Sequence, residues 1–130
     1  MKKLFLLLFL PLSFNTIADS YSREFVQCTD RSGGVTTNML GCINNEYKKQ
    51  DSRLNRNYKK LMTTLKGQAK NHVQNAQKAW LKHQKATCDL YEQTSDGGSA
   101  FTLMSQDCYL KEVTERADFL QHLVDLEEMK

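Results

Sequence analysis

Four cysteines constrain the fold of this chain more than any other feature: Cys28, Cys42, Cys88 and Cys108. An even number of cysteines in a small exported chain is typical of a disulfide-braced domain. Four cysteines allow three pairings, and the sequence alone does not choose among them. We favour Cys28–Cys42 with Cys88–Cys108, because both bridges close short loops. Each bridge is expected to add about 3 kcal/mol by restricting the unfolded chain.

The segment around the last two cysteines predicts a helical hairpin. Gly98 lies midway between Cys88 and Cys108, so two helices that fold back at the glycines bring the two thiols level. Trp80, the only tryptophan, precedes Cys88 by two helical turns and lies on the same side of its helix. A bridge between these cysteines would join the two helices of the hairpin.

The N-terminus has the pattern of a secretory signal peptide. Lys2 and Lys3 precede an apolar run over 4–12, and small residues lead to Ala18. We therefore predict a signal peptide over residues 1–18, with cleavage after Ala18, and a periplasmic or secreted location. The apolar run is too short for a permanent membrane span, and no lipidation cysteine follows the cut. We expect no stable membrane anchor after cleavage.

Residues 19–130 are predicted to form a single all-α domain, a small up-down bundle of about three helices braced by two disulfides. The segment before Thr36 is polar and is expected to be an irregular arm, with Thr36 or Thr37 as the first N-cap. Apolar residues then recur at helical spacing as far as Gly67, which marks a break. A second helix begins near Gln68, and Ser99 is the predicted cap of a third.

Charge and residue patterns exclude several classes of function. Removal of Lys2 and Lys3 takes the formal charge from +3 to +1, which argues against nucleic acid as a partner. The three histidines are dispersed, and the cysteines lack the close spacing of a zinc site or a redox pair. No nucleophile has a base and an oxyanion donor near it in sequence. We therefore predict a binding protein rather than an enzyme, with no cofactor and no metal.

Polar residues also occur at helical spacing among apolar ones. Asp51, Asn55 and Tyr58 share one predicted helix face, Gln77 precedes Trp80 by about one turn, and Arg116 lies one turn before Leu120. Half-buried groups of this kind can fix the register of packed helices, because each must find a partner. The same groups can instead line a groove that binds a partner. Both interpretations stay open at this point.

An ordered set of these residues resembles the N-terminal domain of the LprI-type lysozyme inhibitor family. The resemblance covers about Cys28 to Leu123. It implies an exported, all-helical, disulfide-bonded bacterial domain, and binding and inhibition of lysozyme. The set comprises Met39 and Cys42; Asp51, Leu54, Asn55 and Tyr58; Ala76, Gln77 and Trp80; Cys88; Gly97-Gly98-Ser99; Cys108; and Thr114 and Arg116.

The chain departs from the family pattern in two places. After the tryptophan the family usually has an aromatic residue followed by Arg-Asp, whereas this chain has His83-Gln84-Lys85. An ion pair centred on that arginine is therefore missing. The namesake of the family is also a lipoprotein, whereas this leader lacks the lipidation cysteine. The second departure changes only how the protein is anchored.

The resemblance implies a protein partner, for which a c-type lysozyme is the candidate. A mature charge of +1 gives little long-range steering toward a cationic enzyme. We therefore expect local insertion of the turn Asp96-Gly97-Gly98-Ser99, whose glycines allow close backbone approach. The alternative is an envelope interaction or immunity protein that binds another exported protein without inhibiting lysozyme. The same turn can instead be a tight connection between two helices that binds no partner.

Overall fold

The structure, a computed structural model, describes residues 20–130. The predicted signal peptide lies outside them. This part of the chain is helical and contains no strand, which confirms the all-α fold class. It has four helices and one single helical turn, so the expectation of about three helices was too low. The elements are α1 (Arg23–Arg31), α2 (Thr36–Thr64), α3 (Gln68–Cys88), the single turn α4 (Leu90–Gln93) and α5 (Ser99–Glu128).

The two longest helices, α2 and α5, form the centre of the molecule. Arg53 pairs with Asp118, and Lys60 pairs with Glu128 farther along both helices, so α2 and α5 run in the same direction. Helix α3 returns between them in sequence and packs mainly on α5. The buried apolar core consists of Ile43, Leu54, Leu61, Leu110, Val113, Ala117, Leu120 and Val124.

The N-terminal segment is not the irregular arm that its polar composition predicted. It forms α1, whose N-cap Ser22 accepts a hydrogen bond from the Phe25 backbone N–H through its side-chain oxygen. Glu46 on α2 is 1% exposed and accepts hydrogen bonds from the Ser22 backbone, the Ser22 hydroxyl and the Gln50 amide. Tertiary hydrogen bonds to a buried carboxylate therefore help to order this segment, together with Tyr21 and Phe25, which pack against the core.

The structure corrects the N-cap residues that were predicted for two helices. Gly67 does mark the break between α2 and α3. Its φ is +57°, a conformation that favours glycine. Helix α2, however, has Val35 as its N-cap and no side-chain capping bond, so neither Thr36 nor Thr37 caps it. The N-cap of α5 is Gly98 rather than Ser99, again without a side-chain bond.

Both favoured disulfides are present. Cys28–Cys42 ties α1 to α2, and Cys88–Cys108 joins α3 to α5 as the hairpin geometry predicted. Their Cα atoms are 5.7 Å and 5.5 Å apart, within the usual range for disulfides. Between residues 20 and 130, no helix is both long and apolar enough to cross a membrane.

Candidate functional site

The predicted binding turn lies at one end of the hairpin and is open to solvent. Asp96, Gly97, Gly98 and Ser99 are all exposed. Gly97 has φ at +71°, which an L side chain rarely adopts. Its backbone N–H donates to the Ser95 hydroxyl oxygen at 3.4 Å. The turn is thus a locally bonded, accessible loop between α4 and α5, within the chain segment that the Cys88–Cys108 bridge closes.

Exposed apolar side chains surround this turn, a feature that the sequence interpretation missed. Leu90, Tyr91, Phe101 and Met104 are each at least 40% exposed. Phe101 lies beside Gly98, and Tyr91 and Met104 line one shallow depression. Large apolar groups clustered on a surface are typical of interaction sites. These residues lie outside the apolar helix faces that form the core and close to the ends of two helices. That position was the signal in the sequence from which their exposure could have been predicted.

The same end of the molecule carries carboxylates. Glu92, Asp96 and Asp107 make no ion pair with any residue of the described chain. Asp89 differs, because hydrogen bonds first from Lys85 and then from Tyr109 lower the pKa of its carboxyl group. Three unpaired carboxylates among exposed apolar groups give the turn end a local negative character that the overall charge does not show.

Tyr109 lies just behind this surface. Its hydroxyl donates to Asp89 Oδ1 at 2.6 Å. Desolvation, followed by that bond to a carboxylate, raises the pKa of Tyr109 to about 12. The pair ties α5 to the residue that links α3 and α4, and so supports the turn from within.

A second surface feature is a groove between α2 and α3. Its volume is about 400 Å³. Six of the motif residues that carry the family resemblance line it, namely Asp51, Leu54, Asn55, Tyr58, Gln77 and Trp80. A further motif residue, Arg116, braces its wall. The lining residues are Tyr47, Asp51, Leu54, Asn55, Tyr58, Gln74, Gln77, Lys78, Trp80, Leu81 and Gln84.

Arg116 on α5 holds the α3 wall of the groove. Its Nε donates to Gln77 Oε1 at 2.9 Å, and its guanidinium lies 5.6 Å from the Trp80 ring and 5.3 Å from the Phe119 ring. Trp80 Nε1 donates to Glu112 Oε2 at 3.3 Å. Burial lowers the pKa of Arg116. Cation–π contacts and hydrogen bonds together fix the orientation of the tryptophan.

The α2 wall contains a separate polar pair. The Asn55 amide donates to Asp51 Oδ2 at 3.1 Å, while Leu54 between them faces the core. Within residues 20–130, no hydrogen bond joins this pair to Gln77 or Arg116 across the groove. The predicted register-fixing network therefore exists as two local parts on facing walls. The groove interpretation, which the sequence also allowed, describes the space between them.

Gln84 at the groove is buried without full hydrogen bonding. Its side chain is 4% exposed, and its Nε2 makes no hydrogen bond of good geometry with the described residues. Tyr47 lies beside it. Desolvation, and then the charge of Asp51, raise the pKa of the Tyr47 hydroxyl, and the nearby Gln84 side chain partly offsets that rise. A buried donor without a partner costs roughly 1–3 kcal/mol.

The sequence of this chain matches a known family model. The model described as "Lysozyme inhibitor LprI" matches residues 28–120. This chain belongs to the LprI family. The match begins at the first cysteine of α1 and ends within α5, so it includes both disulfides, the turn and the groove. Membership confirms the resemblance that the motif residues suggested.

A solved structure has a similar fold. A protein of uncharacterised function from Burkholderia thailandensis superimposes with a TM-score of 0.65 at 24% identity, over 80% of this chain and 52% of the other. The chain thus spans about half the length of that protein. No curated protein matches this LprI chain significantly.

The departure from the LprI pattern at His83-Gln84-Lys85 falls on the groove. Gln84 is the buried member, whereas His83 and Lys85 are exposed on either side of it. A neutral amide therefore occupies the wall where the family pattern places an arginine. Among residues 20–130, no group of three or more His, Cys, Asp or Glu side chains is arranged to hold a metal ion.

Proposed function

We propose that this LprI-family protein binds a peptidoglycan-cleaving enzyme, a c-type lysozyme in particular, and inhibits it by physical occlusion. Family membership over residues 28–120 is the observation that carries the proposal. The two disulfides fit an exported protein, because such bridges persist in oxidising compartments. The protein acts in this account as a rigid scaffold that presents a surface, and it performs no chemistry on the lysozyme.

The turn end is the surface that we assign to the enzyme. Its glycines allow close backbone approach, and the flanking helices and the Cys88–Cys108 bridge hold it in place. Phe101 and Met104 supply exposed apolar area beside it. The unpaired carboxylates, Asp96 among them, complement a cationic enzyme locally, although the net charge of the mature chain gives little steering.

A cell-wall clearing assay tests the proposal. Purified mature protein is added to lysozyme in increasing molar ratio, and the rate of cell-wall clearing is measured. We expect a saturable, dose-dependent loss of lysozyme activity. Full lysozyme activity at large molar excess of folded protein would remove this function and leave the envelope-protein alternative.

A further inference from the structure

The α2–α3 groove contains an unusual polar group that the inhibitor surface does not use. Gln84 is 4% exposed, and its amide lies beside the Tyr47 hydroxyl, but its Nε2 makes no hydrogen bond of good geometry with the described residues. Buried donors are nearly always paired in folded proteins. The groove beside it is a cleft of about 400 Å³, within the size range of small-molecule sites. An unpaired buried amide at such a cleft points to a ligand that supplies an acceptor oxygen.

The charges around the groove exclude several ligand classes. Lys78 is the one cation in the lining, and it is exposed; Arg116 behind the wall is already bonded to Gln77. An anion would find little compensation there. Asp51 is the one carboxylate of the lining, too few oxygen ligands for a cation. A purely apolar ligand would bury Asp51 and Asn55 against hydrocarbon, which is costly.

What remains is a neutral ligand with many hydroxyl groups and an apolar face. We propose that the α2–α3 groove binds a neutral saccharide of one or two sugar units. Tyr47, Tyr58 and Trp80 bring three aromatic rings to the lining, and the C–H face of a sugar ring packs well on such rings. Asn55 and Gln77 add amide groups that can donate to and accept from hydroxyls.

Three side chains have separate parts in this site. The carboxylate of Asp51 accepts a hydrogen bond from a sugar hydroxyl. The Trp80 ring, held by Arg116 and Glu112, provides a rigid surface at little cost in conformational entropy. The Gln84 amide turns about its last side-chain bond, a soft rotation, and donates from Nε2 to a hydroxyl or acetamido oxygen. Binding thereby gives this donor the well-aligned hydrogen bond that it lacks in the free protein.

The site does not depend on lysozyme inhibition, since the groove and the turn end share no lining residue. Trp80 is the only tryptophan, so its fluorescence reports on the groove directly. Purified mature protein is titrated with glucose, N-acetylglucosamine and the β-1,4-linked tetramer of N-acetylglucosamine, without any enzyme present. We expect a saturable change with a dissociation constant on the order of 1 mM for at least one sugar.

The three sugars distinguish a free saccharide from a polymer. Binding of a monosaccharide as tight as that of the tetramer supports a site for a free sugar, and tighter tetramer binding supports a site for the end of a glycan chain. Fluorescence that does not saturate with any of the three, up to about fiftyfold above the expected constant, overturns the proposal.

Gln84→Met provides the decisive variant, because methionine keeps the shape and removes the donor. We expect it to fold at least as stably as the natural protein and to bind the sugar about tenfold more weakly. Gln27→Met on α1 is the matched control, exposed and outside the groove, and should change neither property. Asp51→Asn, at a half-exposed position, is a second variant that should also weaken binding. Unchanged sugar binding in both groove variants would overturn the assignment.

Discussion

Trp80 is fixed by neighbours on α5 rather than by complete burial. The Arg116 guanidinium lies over its ring, Glu112 accepts its N–H, and the ring remains half-buried. Deep burial would have made truncation cost about 3–5 kcal/mol. Partial burial makes a smaller loss the better expectation, because part of the ring already contacts solvent.

Trp80→Ala should therefore lower the free energy of unfolding by roughly 2 kcal/mol. Urea denaturation followed by circular dichroism measures it. Phe119→Ala is the control, since Phe119 contacts the same guanidinium but is largely exposed, and should cost clearly less. Folded Trp80→Ala should still inhibit lysozyme. Equal losses of stability in the two variants would contradict this account of the α3 wall.

Tyr109 gives a pH-dependent prediction. Its pKa of about 12 in the folded protein lies above the ordinary value of 10.0, so the folded state holds the phenolic proton more tightly than the unfolded state. The stabilisation is complete below pH 10 and is lost as the pH rises toward 12. We expect the stability advantage over Tyr109→Phe to shrink across this range in urea unfolding. A difference that stays constant from pH 8 to pH 11 would contradict the assigned environment.

Single residues show what sequence patterns omit. Helical spacing placed Trp80 and Cys88 on one side of their helix, and Gln84, midway between them, does face the protein interior or the groove. Spacing reports a face of a helix, however, and not whether a hydrogen-bond partner exists there. The unpaired amide of Gln84 depends on the distance between α2 and α3, which no local pattern encodes.

At the scale of elements, the α1–α2 contact centres on one buried carboxylate. Glu46 accepts from the Ser22 backbone at 2.8 Å and from the Gln50 amide at 2.7 Å. Glu46→Ala leaves these donors unpaired and should destabilise the fold by about 3 kcal/mol in urea denaturation. Glu24→Ala is the control, since Glu24 pairs with Lys49 at the exposed surface, and should have little effect. Comparable losses for both would contradict the role of Glu46.

The prediction of elements succeeded where apolar periodicity was long and failed at α1. Apolar residues recur at helical spacing over many turns of α2, and Gly67 marks the break after this helix. Helix α1 has nine residues and no buried one. Its order comes from Cys28–Cys42 and from Glu46, contacts that are distant in sequence. Local propensity in so short a polar segment is a weak signal compared with such tertiary bonds.

The Cys88–Cys108 bridge closes a loop of 20 residues, so its removal should cost about 3 kcal/mol. The double variant Cys88→Ser with Cys108→Ser tests this in thermal or urea unfolding. It should remain helical, because α5 packs on α2 independently of the bridge. Unchanged stability would show that the bridge does not restrict the unfolded chain as assumed.

At the scale of the whole molecule, the sequence was sufficient for the fold class, and it favoured the disulfide pairing and the hairpin that the structure shows. Cysteine spacing and apolar periodicity act together over the chain, although the spacing alone left three pairings open. The two surfaces were less predictable. The polar turn was evident, but the apolar residues around it and the groove between α2 and α3 arise from how separate helices pack. The protein is best described as a braced helical scaffold with a turn at one end.

The most direct test of this account compares lysozyme inhibition by the natural protein and by the double variant Asp96→Ala with Ser99→Ala. Both positions are exposed and make no core contact, so helicity and unfolding free energy should not change, as circular dichroism would verify. Asp30→Ala, exposed on α1, is the control. We predict that the double variant inhibits about tenfold more weakly, as expected for lost polar contacts at a partner interface, and that Asp30→Ala inhibits normally. Full inhibition by the folded double variant would contradict the assignment of the turn end as the inhibitory surface.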